Sequence, residues 1–118
     1  MPEDEETKPT PTKPSAWSNE TDVELPSGNL VRVRRPTLYI WYKTGQLSQE
    51  TKATVEKVAN DKRSETSFEQ RQEAMAELLC KTVIEPVWSL TPREDAVCID
   101  DVCDSDRAFL ALRMDISL

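Results

Sequence analysis

Apolar and polar residues alternate at Val23-Glu24-Leu25 and again at Val31-Arg32-Val33-Arg34, with Pro26-Ser27-Gly28-Asn29 between the two runs. A period of two on either side of such turn-forming residues predicts a β-hairpin. A lone hairpin is marginal in water, so it needs a helical surface to lie on. Arg35-Pro36 ends the strand, because a residue before proline avoids the α region while proline suits a helix's first turn. Leu38, Trp41 and Tyr42 then recur at i, i+3 and i+4, which predicts a short helix over Leu38–Thr44 with Gly45 just past its end. Ser48 is placed to cap a second helix, with Ala53, Val55, Val58 and Ala59 as its weakly apolar side. Ser67-Phe68-Glu69-Gln70 fits a capping box and opens a third. Phe68, Met75, Leu78, Leu79, Thr82 and Val83 form the stripe of that helix, against Glu69, Arg71, Glu73, Glu77 and Lys81 on the wet face. Glu77 and Lys81 are spaced as an i, i+4 ion pair, and Pro86 stops the helix near Ile84. Val87-Trp88-Ser89-Leu90 reads as a short extended piece. Asp104 or Ser105 caps a last helix carrying Phe109, Leu110, Leu112 and Met114, whose first turn Asp104 and Asp106 complement electrostatically.

These elements predict a mainly α fold with a small N-terminal β-hairpin, its short helices gathered around one small core in a single domain at 23–118. Residues 1–22 differ in kind. They hold six acids against two lysines, four prolines, and one large apolar side chain, Trp17. Such a segment cannot bury enough apolar surface to offset an ordering cost of roughly 1–2 kcal/mol per residue, so a disordered acidic leader is expected. Trp17 is the one point in it suited to docking a partner.

Charge and composition then narrow the function. The net charge is −7, and it lies in the leader and in residues 93–106, where six acids face Arg93 alone. That balance disfavours wrapping nucleic acid or coating anionic lipid. No apolar run approaches the ~18–20 residues that span a bilayer, and the N-terminus lacks the basic and apolar regions of a signal peptide. The chain contains no histidine, so the usual general base and the commonest zinc ligand are missing. Cys98 and Cys103 at C-x4-C, with Cys80 apart, lack a fourth soft ligand, and the three thiols are expected to be reduced, with Cys80 a small core filler. Asp95, Asp100, Asp101, Asp104 and Asp106 lack the glycine and spacing of a calcium loop and read as a solvated loop. Gly28 and Gly45 are far apart and form no phosphate cradle. Arg32, Arg34 and Arg35 beside Tyr39 and Trp41 have the basic-aromatic look of a nucleic-acid surface. The acidic balance and the lack of a basic stripe elsewhere favour instead an edge strand whose arginines block further pairing and attract the acidic loop. The expectation is a protein without cofactor, metal or catalysis, acting by binding.

The order of these segments resembles the tail assembly chaperones of long non-contractile-tailed bacteriophages, siphophages of actinobacterial hosts. Val23 to Pro36 looks like that family's opening "v-L-P-S-G-x-x-v-x-v-R-R-P". The short helix, Gly45-Gln46-Leu47-Ser48, the polar stretch 60–66 and the long helix follow in the family's order. Cys80 to Val87 is similar to its "C-x-x-x-[VI]-x-E-P" signature, and Asp104-Ser105-Asp106-Arg107 with Phe109 to its "D-x-D-[RK]-x-x-[FI]". The likeness spans about residues 22–115, and the Met114 to Leu118 end departs from the tryptophan- or alanine-rich ends of many members. The resemblance implies a partner, the tape measure protein, kept soluble in the host cell cytoplasm until tail-tube subunits polymerise around it, with the chaperone absent from the mature virion. It also implies a longer form made by frameshifting near Leu118, and leaves self-association open. Leu38, Trp41, Tyr42 and Trp88 are the candidate partner-binding groups in a helix-in-groove mode, although the same side chains suit the domain's own core. The alternatives are a minor structural virion protein of the tail or head–tail connector, and a small nucleic-acid-binding regulator working through Arg32, Arg34 and Arg35.

Overall fold

The computed structural model describes residues 9–13, 20–35 and 38–118, with the backbone alone for Leu38 and Tyr39. Strands β1 (Glu20–Glu24) and β2 (Leu30–Arg34) pair antiparallel with Val23 opposite Val31. Leu25 and Asn29 close the hairpin around Pro26, Ser27 and Gly28, through Leu25 N–H to Asn29 C=O at 2.9 Å and Gly28 N–H to Leu25 C=O at 2.8 Å. Gly28 takes a φ of +93°, the left-handed step that lets a three-residue loop match the strand twist. Because β1 opens at Glu20, the last three residues of the expected leader lie in the sheet. Residues 1–8 and 14–19, Trp17 among them, lie outside the described residues.

Helix α1 (Leu38–Lys43) ends as its sequence predicts. Gly45, at φ +73°, donates to the Tyr42 carbonyl and Gln46 donates to that of Trp41, the paired bonds that satisfy a helix's last carbonyls. In α2 (Gln49–Ala59) the Ser48 hydroxyl accepts the Thr51 N–H. Its buried face is Thr51 and Thr54, whereas Ala53 and Ala59 are exposed and Val55 and Val58 half-buried. Threonine is tolerated there because each hydroxyl is satisfied locally: Thr54 donates to the Glu50 carbonyl and Thr51 Oγ1 accepts from Ser48. Helix α3 (Phe68–Thr82) carries the expected capping box, with Ser67 and Gln70 each bonding the other's backbone N–H. Ala74, Leu78, Leu79 and Thr82 are its buried residues, while Phe68 is 70% exposed. Glu77 accepts the Ser48 N–H at 3.0 Å. A carboxylate read as a partner for Lys81 thus helps to cap α2 instead.

The largest correction concerns fold class. The helix stops at Thr82, and Val83–Glu85 form a third strand, β3, antiparallel to β2. Two further short strands, β4 (Trp88–Ser89) and β5 (Val97–Cys98), pair in parallel. With a three-stranded and a two-stranded sheet among the described residues, the fold is α+β rather than mainly α with a hairpin. Helical periodicity carries straight through Thr82 and Val83. Two β-branched residues, a pre-proline Glu85 and the unpaired edge of β2 together favour a strand at that point. The same pairing makes β2 the central strand, so Arg32 does not guard an edge. It bridges Asp22 at 3.1 Å and Glu85 at 3.6 Å on the flanking strands, and those carboxylates take the place expected of the acidic loop.

Helix α4 (Asp104–Arg113) is preceded by Cys103, whose side chain makes no capping bond, so neither Asp104 nor Ser105 is the cap. Asp104 instead pairs with Arg107 at 2.6 Å within the first turn. At its other end Asp115 (φ +58°) and Ile116 close the helix as Gly45 and Gln46 close α1, and Ile116 is buried. One apolar cluster joins Val31 and Val33 of β2, Trp41 of α1, Leu78 and Leu79 of α3, and Leu110 of α4. Burying each such leucine contributes about 1.5–3 kcal/mol.

Candidate functional site

Ser27 at the hairpin turn and Asp106 in the first turn of α4 are 79 positions apart and grip each other twice. The Ser27 N–H donates to Asp106 Oδ1 at 3.0 Å, and its hydroxyl donates to Oδ2 at 2.6 Å. Asp106 is 3% exposed. A carboxylate so buried is tolerable because both oxygens are occupied and the helix N-terminus favours negative charge. This clasp sets the hairpin turn against the start of α4.

Beside the clasp runs an open groove of about 410 Å³. Leu25, Leu30 and Val31 line it from the hairpin, Pro86 and Trp88 from the segment after β3, and Val97 and Val102 from the stretch leading to α4. Its polar margin is Ser27, Asn29, Asp101, Cys103 and Asp106, with no lysine or arginine among the lining residues. Leu30, 68% exposed, sits on the groove's open side with its alternation partners Val31 and Val33 turned into the core. Asp101, exposed on a short 3-10 turn over Ile99–Asp101, enters none of the ion pairs seen among the described residues.

The three sequence-derived candidates whose side chains are described do not share this place. Trp41 is 6% exposed and belongs to the core. Tyr42 packs against that core, donates its hydroxyl to Glu56 and lies 4.8 Å beneath the Lys52 ammonium. The Leu38 side chain lies outside the described residues. Of the three described, Trp88 reaches the groove, as a buried wall. Leu30, Pro86 and Asp101 escaped the sequence reading as site residues. The available signal was phase: Leu30 is the apolar residue of its strand that falls on the polar beat.

The thiols are all free. Cys103 is exposed and lines the groove, and Cys98 is buried. Partial burial, with Cys98 and Glu77 nearby, pushes the Cys80 thiol up to about 11. Among the described residues no three cysteines or carboxylates are grouped to hold a metal ion, and no helix is long and apolar enough to cross a membrane. The arrangement offers apolar walls, a carboxylate and a hydrogen-bonded frame, which can hold a side chain of another molecule. Comparison of the chain with protein-family models, with curated proteins and with solved structures found no match.

Proposed function

We propose that this chain is a tail assembly chaperone of a long non-contractile-tailed bacteriophage, a non-catalytic protein that binds the tape measure protein in the host cytoplasm and keeps it soluble during tail morphogenesis. The observation that carries this reading is a convergence. Three motif segments of the family resemblance come from widely separated parts of the chain, the P-S-G turn, the E-P signature and the D-x-D-R helix start. They supply Ser27, Pro86 and Asp106 to a single groove. Apolar surface left outside the core adds support: Leu30, at the groove, and Phe68 and Leu112 elsewhere are each more than two-thirds exposed, and exposed apolar groups suit a greasy polypeptide partner. The acidic character of the chain, −7 overall, would keep such a complex dispersed.

Co-expression with the tape measure protein tests the proposal. Its soluble yield should rise several-fold when the chain is present, and no gain with both proteins well expressed would refute it. Mass spectrometry of finished particles separates the structural alternative. A chaperone is absent from them, whereas a tail or connector component is present stoichiometrically.

A further inference from the structure

The chemistry of the groove goes beyond the general statement that it binds polypeptide. Its walls are apolar, its rim carries the carboxylate of Asp101, which has no ion-pair partner among the described residues, and none of the described residues lining it is a cation. The nearest basic side chain on the hairpin, Arg32, is already bridged to Asp22 and Glu85. The loop that supplies the rim is itself strongly acidic, with six acids and one arginine over residues 93–106, and that arginine is bound to Asp95 at 2.6 Å. An apolar slot under a one-sided negative field selects against acidic partners and against a second copy of this acidic chain.

We infer that the groove receives an apolar side chain from a cationic segment of the client, with a lysine or arginine within one helical turn of that anchor meeting Asp101. The anchor lies against Leu30, Pro86 and Trp88, and the Ser27–Asp106 clasp holds the two walls at a fixed separation. This assignment rests on the binding reading above but names a feature of the partner that the reading leaves open. A groove of this size accepts one or two side chains, so contact is reversible and depends on salt.

Cys103 makes the test direct, because it is an exposed thiol on the groove, Cys98 is buried and the Cys80 thiol is pushed up to about 11. Near neutral pH, alkylation of the full chain therefore reads Cys103 selectively. Two short synthetic peptides of equal apolar content, one carrying lysines and the other glutamates around a leucine anchor, are titrated while the Cys103 alkylation rate is followed. The lysine peptide should slow alkylation and bind roughly tenfold or more tightly than the glutamate peptide, with the preference fading at high salt. Asp101→Lys should reverse the preference, and Leu30→Asp, at a position already exposed, should abolish protection while the circular dichroism stays native. Equal affinity for both peptides, or binding that leaves Cys103 unprotected, would overturn the assignment. So would protection that rises with protein concentration alone, which would identify a second copy as the occupant. The two readings can fail separately. If Asp101→Lys and Leu30→Asp still solubilise the tape measure protein, the groove assignment falls and the chaperone survives. If the lysine peptide binds as described but no client is solubilised, the groove stands and the tail-assembly role falls.

Discussion

The pair of helices α2 and α3 and the end of the molecule built from the hairpin turn and the acidic loop are held together by different means. In the helix pair most of the end closures come from neighbours in sequence, with Glu77 of α3 adding one bond to the start of α2. Ser48 and Ser67 cap the starts, Asp61 and Lys62 close the end of α2 with bonds to Val58 and Lys57, and small Ala74 meets a threonine face. At the other end the local closures of the hairpin turn and of α4 are joined by contacts between distant segments. Ser27 holds Asp106 across 79 positions, Arg32 ties three strands together, and a two-residue parallel pair joins Trp88 to Val97. The groove lies there. An end assembled from distant segments leaves a seam between them, and the apolar side chains lining that seam are what the proposed partner would meet.

The helix pair should govern global stability. Leu78 is wholly buried in α3, so Leu78→Ala should cost about 3–5 kcal/mol in denaturant unfolding. A loss under 1 kcal/mol would show that the core is centred elsewhere. Asp106→Ala should cost less, about 2–3 kcal/mol, since it leaves the Ser27 N–H without its acceptor. More telling is where the loss appears: hydrogen exchange should quicken in the hairpin turn and the start of α4 while the α3 amides keep their protection. Uniform quickening would mean that the two regions form one cooperative unit and the contrast drawn between them is false. Ser67→Ala removes one cap and should cost about 1 kcal/mol, confined to α3.

Asp61 should act in the opposite direction. It holds a φ of +59°, a left-handed position that glycine occupies more readily, so Asp61→Gly should stabilise by a few tenths to about 1 kcal/mol. The smallest effect near neutral pH concerns Cys80. Burial raises its pKa from an ordinary 9.0 to about 11, so the folded chain disfavours the thiolate. The associated stability is complete below pH 9 and declines as the pH climbs towards 11. Alkylation of Cys80 should thus lag that of Cys103 at pH 8 and catch up on unfolding. Equal rates in the folded chain would show that Cys80 is not held in that environment.

The same contrast explains what could be read from the amino-acid sequence. Ser67 with Gln70, Gly45 after α1, and the turn around Gly28 are chemical statements made within four residues, and each appears in the structure where the residues place it. Strand β3 was hidden because Val83 and Ile84 satisfy the helical stripe of α3 equally well; only the free edge of β2, about fifty residues earlier in the chain, decides between helix and strand. The threonine face of α2 was hidden because threonine reads as polar until its hydroxyl is seen bonded within its own turn. For the site, aromatic residues drew attention to Trp41 and Tyr42, which the core and Glu56 hold. The groove instead depends on a leucine out of phase with its strand and on valines set among aspartates, which acquire meaning only when Ser27 and Asp106 bring their segments together.

The most direct measurement is amide-shift mapping by nuclear magnetic resonance, with the full chain labelled and a soluble fragment of the tape measure protein added. Binding at the seam predicts shifts centred on Leu30, Trp88, Val102 and Cys103, with α2 and the first turns of α3 unchanged. Shifts confined to α2 and α3, or none at fragment concentrations that the chain keeps in solution, would contradict it.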